Sequence, residues 1–256
     1  MKDRKTVTEY RTIKRPLRPV VTLFAAVLLF ATAFSLPDLA YSQSDNSNQN
    51  SAGSDEFRVA RKGLGAQVLL LNSGLGVGAY MVRIVSPTVT LRAEISISSI
   101  KDGREVAFFN RLGQKEVPDK ANYVLQIPIQ FGIEHRLFQS VIEDNFRPFI
   151  HAVTGPSLIW RSPYFDDLNN NGELDSDEPV LGSFQSLSKG NLEMGWSGTL
   201  SIGAHFGKLY GGTQSLRIGY TFTYLFNEIA LLEPSVRDPA RWVGSPTIRL
   251  SFGKLY

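Results

Sequence analysis

The chain of 256 residues contains no cysteine. That absence excludes disulfide staples, thiolate zinc sites, cysteine nucleophiles and a lipidated N-terminal cysteine. Histidine is scarce too. His135, His151 and His205 stand at spacings that fit no metal-binding pattern. A basic surplus is missing from most of the chain. Residues 1–42 carry seven basic and three acidic side chains, a net +4 against +3 for the whole, so residues 43–256 come to −1. Nucleic acid therefore has no electrostatic basis as a partner. Long apolar runs are also lacking, with one exception at Val20–Phe34.

That exception reads as the apolar part of a signal peptide over residues 1–42. A basic stretch ends at Arg18-Pro19, the apolar run follows, and Ala40-Tyr41-Ser42 gives a small-x-small site. Its 15 residues fall short of the roughly 20 that a helix needs to cross a bilayer core of ~30 Å. Residues 43–60 follow as a spacer. Its first part, Gln43–Asp55, is polar with a single alanine, cannot bury a core and is expected to be disordered.

From residue 61 the dominant pattern is alternation with a period of two, the signature of β-strands. In Asn191–Phe206 the apolar set is Leu192, Met194, Trp196, Leu200, Ile202, Ala204 and Phe206, while the other face carries Glu193, Ser197, Thr199, Ser201 and His205. Ser215–Phe226, Thr88–Ser99 and Tyr123–Glu134 repeat it. Gly63–Leu71, Leu75–Val85, Phe146–Trp160 and Thr247–Tyr256 are four further candidates, the third weakened by Pro148 and Pro156. The runs are longer than the usual strand of about 5–6 residues and suit the 9–11 or so of a tilted membrane strand. The predicted fold is all-β: an antiparallel up-and-down transmembrane β-barrel of about eight strands over residues 61–256.

Alternation alone fits a soluble barrel as well, with its apolar face inward. Three features favour the inverted arrangement. The polar faces are rich in Gly, Ser and Thr and poor in charge, with Arg92, Glu94, Glu134, Glu193 and Arg217 as the exceptions. Aromatics gather near strand ends: Tyr80, Tyr123, Phe131, Trp160, Trp196, Phe206, Tyr220, Phe226, Phe252 and Tyr256. Connections alternate between short (86–87, 136–145, 207–214) and long (100–122, 161–190, 227–246), with only the first hairpin at Asn72-Ser73-Gly74 tight on the long-loop side. The last strand ends on Tyr256 after Phe252, Leu250 and Ile248, interrupted by Lys254. It resembles the assembly signal of outer-membrane proteins, and residues 61–256 resemble the small outer-membrane β-barrel class, the size of the outer-membrane protein A, X and W barrels. The resemblance implies outer-membrane lipid and the assembly machinery, engaged through the C-terminal strand, as partners; the chain is expected to be non-enzymatic because no Ser/His/acid constellation marks it.

One stretch carries ligand chemistry. Within the long loop 161–190, residues 167–178 resemble the twelve-residue EF-hand calcium loop. Asp167, Asn169 and Asn171 fall at positions one, three and five, Gly172 is the turn glycine at six, Glu173 offers its carbonyl at seven, Asp175 stands at nine and Glu178 is the bidentate twelfth. Calcium takes six to eight hard oxygens, and this spacing converges them. Ser162-Pro163 and Pro179 oppose flanking helices, so the resemblance implies an isolated calcium loop of weak affinity, about 10⁻⁴–10⁻³ M.

Other features carry less. His205 and Glu193 share the polar face and suit a lumen network. Gly74-x-Gly76-x-Gly78 lies between strands, without the helix a nucleotide loop requires. No Ser/His/acid constellation stands out. Two alternatives stay open: a lipid-modifying barrel enzyme, and a soluble periplasmic barrel holding a lipophile in an apolar interior. If residues 1–42 are a signal peptide, N-terminal sequencing of the protein recovered from envelopes begins at Gln43; a start at Met1 contradicts the cleavage.

Overall fold

The computed structural model describes residues 62–109, 115–139, 141–142, 145–169, 171–175, 178–207 and 211–256. The expected signal peptide, 1–42, and the expected spacer, 43–60, lie outside them. Ten strands follow in order: β1 (Lys62–Leu71), β2 (Gly74–Ile84), β3 (Val89–Ile100), β4 (Phe108–Phe109), β5 (Lys115–Glu116), β6 (Asn122–Arg136), β7 (Phe146–Pro163), β8 (Asn191–Phe206), β9 (Gly211–Ile229) and β10 (Ala240–Leu255); one short helix, α1 (Ser183–Ser188), precedes β8. Eight of the strands close a barrel in the order β1-β10-β9-β8-β7-β6-β3-β2, and β4 and β5 pair only with each other. All pairs in the barrel are antiparallel, and the seam joins the first strand to the last, from Gly63 opposite Leu255 to Leu71 opposite Thr247. Closure leaves no strand edge unpaired, the condition for sheet in a medium that offers no hydrogen bonds.

The eight expected strands are present, with differences at their ends. β9 reaches Ile229 and β10 starts at Ala240, so the last outer connection is 230–239 and not the 20-residue loop expected over Asn227–Pro246. Gly244-Ser245-Pro246 reads as a turn, but each of the three is paired, opposite Phe222, Thr221 and Tyr220. The register is unbroken from Trp242 to Leu255, and the strand's one register shift lies before it, between Ala240 and Trp242. The prolines of β7 are also accommodated. Pro148 and Pro156 have the parity of the outward face and pair with Ala204 and Trp196 of β8. The β6–β7 ladder lapses between Phe131–Thr154 and Pro128–Ser157, where Pro156 has no N–H to give. A side chain on the adjacent Gly155 would stand 2.1 Å from the Ile129 carbonyl oxygen, so the two strands approach more closely there than any other residue permits.

The direction of the faces decides the class. Leu75 is 70% exposed, Ile202 66% and Ile218 56%, whereas Arg92 and Arg217 are fully buried. Apolar side chains cover the outside and charged ones fill the inside, the reverse of a soluble barrel. This excludes the soluble lipophile-binding barrel, which needs an apolar lumen. Among the described residues no helix is long and apolar enough to cross a membrane. One aromatic departs from the expected girdle. Tyr80 is buried on the inward face and lies under the Arg92 guanidinium, 3.9 Å from ring centroid to Cζ. Elsewhere rings do line the ends of the wall, with Phe146 against Phe206 near one end and Tyr224 against Trp242 near the other.

Placing arginine at Ile218, on the outer wall at mid-strand, should cost ~2–4 kcal/mol if that wall meets hydrocarbon. An exposed site in water would lose less than about 0.5 kcal/mol. Reversible urea unfolding of Ile218→Arg in lipid vesicles separates the two.

Candidate functional site

The lumen is organised around one carboxylate. Glu94, on β3, accepts from Arg92 Nε at 2.9 Å, from Arg217 Nη1 at 3.2 Å across the lumen, and from Arg249 Nη1. All four side chains are within 2% of full burial. The rest of the layer engages the Nη2 atoms of the three guanidinium groups, while Arg92 Nη1, Arg217 Nε and Arg249 Nε are buried without a hydrogen-bond acceptor. Gln67 Oε1 accepts from Arg92 Nη2 at 3.3 Å and Arg217 Nη2 at 2.5 Å, and Arg249 Nη2 donates to Thr199 and Thr221, each at 3.2 Å. Strands β1, β3, β8, β9 and β10 are thereby tied across the interior. Toward the terminal end of the barrel Glu134 forms a second node, 2.5 Å from His205 Nε2 and 3.8 Å from Arg92 Nη1. Glu193, at the opposite end, pairs with Arg161 at 3.0 Å.

His151 stands between Ser201 and this layer and superficially completes a Ser-His-acid line. Its Nδ1 is 2.9 Å from Ser201 Oγ, and its Nε2 is 3.2 Å from Arg217 Nη1 and 4.0 Å from Glu94 Oε2. Arginine can only donate, so Nε2 accepts and the ring proton sits on Nδ1, directed at Ser201. A histidine in that tautomer does not take a proton from the hydroxyl, which is what activation of a serine requires.

Above the charged layer the inward face turns apolar. Ile100, Val124, Ile159, Leu225, Ile229 and Leu231 form one buried cluster, with Val243 packed against it. The interior is therefore filled twice, first by charge and then by hydrocarbon.

The outer loops fold over this end and are bonded to one another. Asp102 pairs with Arg237, and Glu105 with Lys120. Ala121 N–H donates to the Leu231 carbonyl at 3.1 Å, Glu233 N–H to Asp119 at 2.9 Å, and Val117 N–H to the Tyr164 hydroxyl at 3.0 Å. The third outer connection, 164–190, contains the acidic loop. Asp167 accepts from Asn171 N–H at 3.2 Å and Gly172 N–H at 2.9 Å; Asn169 Oδ1 accepts from Asn171 N–H at 2.9 Å, and Asn171 Oδ1 from Glu173 N–H at 2.7 Å. Gly172 has φ +79°, the left-handed turn assigned to it. Asp175 Oδ2 receives the amides of Asn169 at 2.6 Å and Asn171 at 3.0 Å. Glu178 is buried, its two oxygens accepting from Leu168 N–H at 2.7 Å and Asp175 N–H at 3.2 Å. Five of the six expected ligand side chains thus share one network. Glu173, whose expected contribution is a carbonyl, enters it through its N–H. Among the described residues no three His, Cys, Asp or Glu groups come close enough to hold an ion by themselves, so any site here needs the asparagine oxygens. The loop is latched to its neighbour by Leu174 N–H, which donates to Glu233 Oε1 at 3.0 Å. Burial lifts the Glu233 carboxyl above its ordinary range; the Leu174 N–H opposes this, and the Asp119, Glu173 and Asp175 carboxylates add to the rise.

No family model matches the chain, and no curated protein matches it in sequence. The solved structures it resembles include bacterial outer-membrane barrels. The N-terminal β-barrel domain of OprF from Pseudomonas aeruginosa is 8% identical, with a TM-score of 0.39 over 77% of this chain and 98% of that one. Ail, the attachment invasion locus protein of Yersinia pestis, is 7% identical at 0.36 over 77% and 97%. Neisserial surface protein A is 8% identical at 0.35 over 77% and 96%. The assignment of this chain as an eight-stranded barrel rests on its own hydrogen-bonded closure.

Three lumen residues escaped the sequence reading. Arg249 lies between Ile248 and Leu250 in a strand read for its apolar set. His151 falls in β7, whose alternation the prolines blur, and Gln67 in β1 carries no charge to attract notice. The available signal was parity, since each lies an even number of positions from another inward residue of its strand. Glu94→Ala leaves three buried guanidinium groups without their carboxylate and should cost ~3–5 kcal/mol. Glu193→Ala, whose partner Arg161 is one-third exposed, should cost less than about 1 kcal/mol. Unfolding of both variants in the same vesicles tests the contrast.

Proposed function

We propose that this protein is a non-enzymatic barrel of the bacterial outer membrane whose outer loops form a rigid platform, with the third loop stiffened by a weakly held calcium ion. The reversed polarity of the wall carries the membrane reading. Ile248, Leu250, Phe252 and Tyr256 lie at alternate positions of the strand that closes the seam, which supports delivery through the C-terminal strand to the outer-membrane assembly machinery. The filled lumen supports a structural or surface role over transport, because charged and apolar layers both obstruct a path for solutes.

The calcium reading rests on the fit of the loop. Side-chain oxygens of Asp167, Asn169 and Asn171 are held in successive turns onto backbone N–H groups, and each carboxylate or amide oxygen keeps a second lone pair for a cation. Asp175 and Glu178 would add oxygens, with the Glu173 carbonyl as the backbone ligand. Bound calcium would supply the positive charge that the clustered carboxylates lack. Because Leu174 is bonded to Glu233, and Glu233 to Asp119, order in this loop would extend to the second and fourth outer loops.

Calcium at ten times its Kd should stabilise the folded protein by about 1.4 kcal/mol. Calorimetric titration should show a single site with Kd ~10⁻⁴–10⁻³ M. Asp167→Ala and Glu178→Ala should abolish the heat, and chelation should expose the third loop to protease while the barrel resists. Absence of heat and of protection at millimolar calcium would refute the calcium site and leave the membrane barrel standing.

A further inference from the structure

The outer loops hold a second feature that the platform does not use. Helix α1 does not sit over the lumen. It lies against the outer side of the wall, because what it touches is the outward-facing Trp160. The indole Nε1 donates to the Leu187 carbonyl at 3.2 Å, and a side chain on Gly190 would stand 2.2 Å from that same nitrogen, so the chain leaving α1 rides on the ring. The helix is fixed from below by Ser186, fully buried, whose hydroxyl donates to the Pro163 carbonyl at 2.6 Å. With that face anchored, the opposite face carries Phe184, 91% exposed, the most exposed of all the described large apolar side chains.

The level of α1 on the wall identifies what covers this ring. Trp160 pairs with Leu125 of β6 on one side and Leu192 of β8 on the other. Leu192 is the first apolar residue of the outward face of β8, so this row is the upper margin of the lipid-facing surface. Beside it, Lys189 at the end of α1 pairs with Asp166 at 2.8 Å, half in solvent. An indole at the upper row of the wall, with a short helix carrying an exposed phenyl ring and a lysine bonded onto it, matches the boundary between acyl chains and headgroups, where aromatic rings and lysine are favoured. Phe184 lies three residues from Leu187, whose carbonyl Trp160 holds, and its side chain is on the helix face opposite the anchored Ser186.

We propose that α1 is an interfacial foot: it inserts Phe184 into the outer leaflet of the membrane the barrel spans, at the level of Trp160, and so pins the third outer loop to the lipid surface. The inference depends on the membrane reading, and the test separates the two. The chain has no cysteine, so a single introduced thiol is the only site a label can take. Phe184→Cys, Leu168→Cys and Ile218→Cys full-length chains are labelled with bimane, refolded into phosphatidylcholine vesicles and checked for folding by the shift in gel mobility on boiling. Each is quenched with lipid carrying a shallow nitroxide and, separately, with aqueous iodide.

The expected result is lipid quenching at 184 and 218, iodide quenching at 168, and a blue-shifted emission at 184 relative to 168. Iodide quenching at 184 equal to that at 168, with 218 still quenched by lipid, overturns the foot and spares the membrane barrel. Iodide quenching at 218 overturns both. Protection at 184 that vanishes as the lipid-to-protein ratio rises assigns the ring to a second copy of the chain and overturns the proposal as well.

Discussion

The contact on which the interior depends is that of Glu94 with three arginines. Closing a barrel of eight strands leaves a lumen that side chains must fill, and here the filling includes three guanidinium groups for which water is a strong competitor. A single carboxylate bonded to Arg92, Arg217 and Arg249 lowers the cost of confining them, and Gln67, Thr199 and Thr221 accept from their Nη2 atoms. The wall then has no freedom to carry charge on its inner face elsewhere at mid-height, which is why the neighbouring inward positions are serine, threonine and glutamine. The apolar face is left for the outside.

This division also explains what the amino-acid order reveals and what it hides. Strand number, the inward set around Arg92, Glu94, Glu134 and Arg217, and the direction of the faces are legible because a period of two maps each residue to one side of a wall. The limits of β9 and β10 are not. Gly244, Ser245 and Pro246 have local preferences for a turn, and pairing with β9 overrides them. Tyr80 illustrates a different failure. A tyrosine near a strand end suits an interfacial girdle by composition, yet its parity places it inside, where the ring face lies against a cation.

The outer loops divide in the same way. The bend of the acidic loop is legible, because an oxygen every second residue and a glycine at the turn leave little freedom in how the chain can run, and the hydrogen bonds of Asp167, Asn169 and Asn171 follow that bend. Its latch to Glu233 was not legible. That contact joins residues 59 apart in sequence through a backbone N–H, and nothing in the identity of Leu174 announces it. The same holds for α1, six residues in a polar stretch, whose place is set by a tryptophan on the wall behind it.

The separation in sequence between Glu94 and its partners has a consequence for assembly. Arg92 is two residues away, but Arg217 and Arg249 are 123 and 155 residues away, on the last two strands. Glu94 therefore has all three of its arginines only once β9 and β10 share one closed wall with β3. A barrel missing its final hairpin retains its outer hydrocarbon but lacks two of the cations its centre is built around, so a truncated product is distinguished from a finished one at its interior as well as at its open edge.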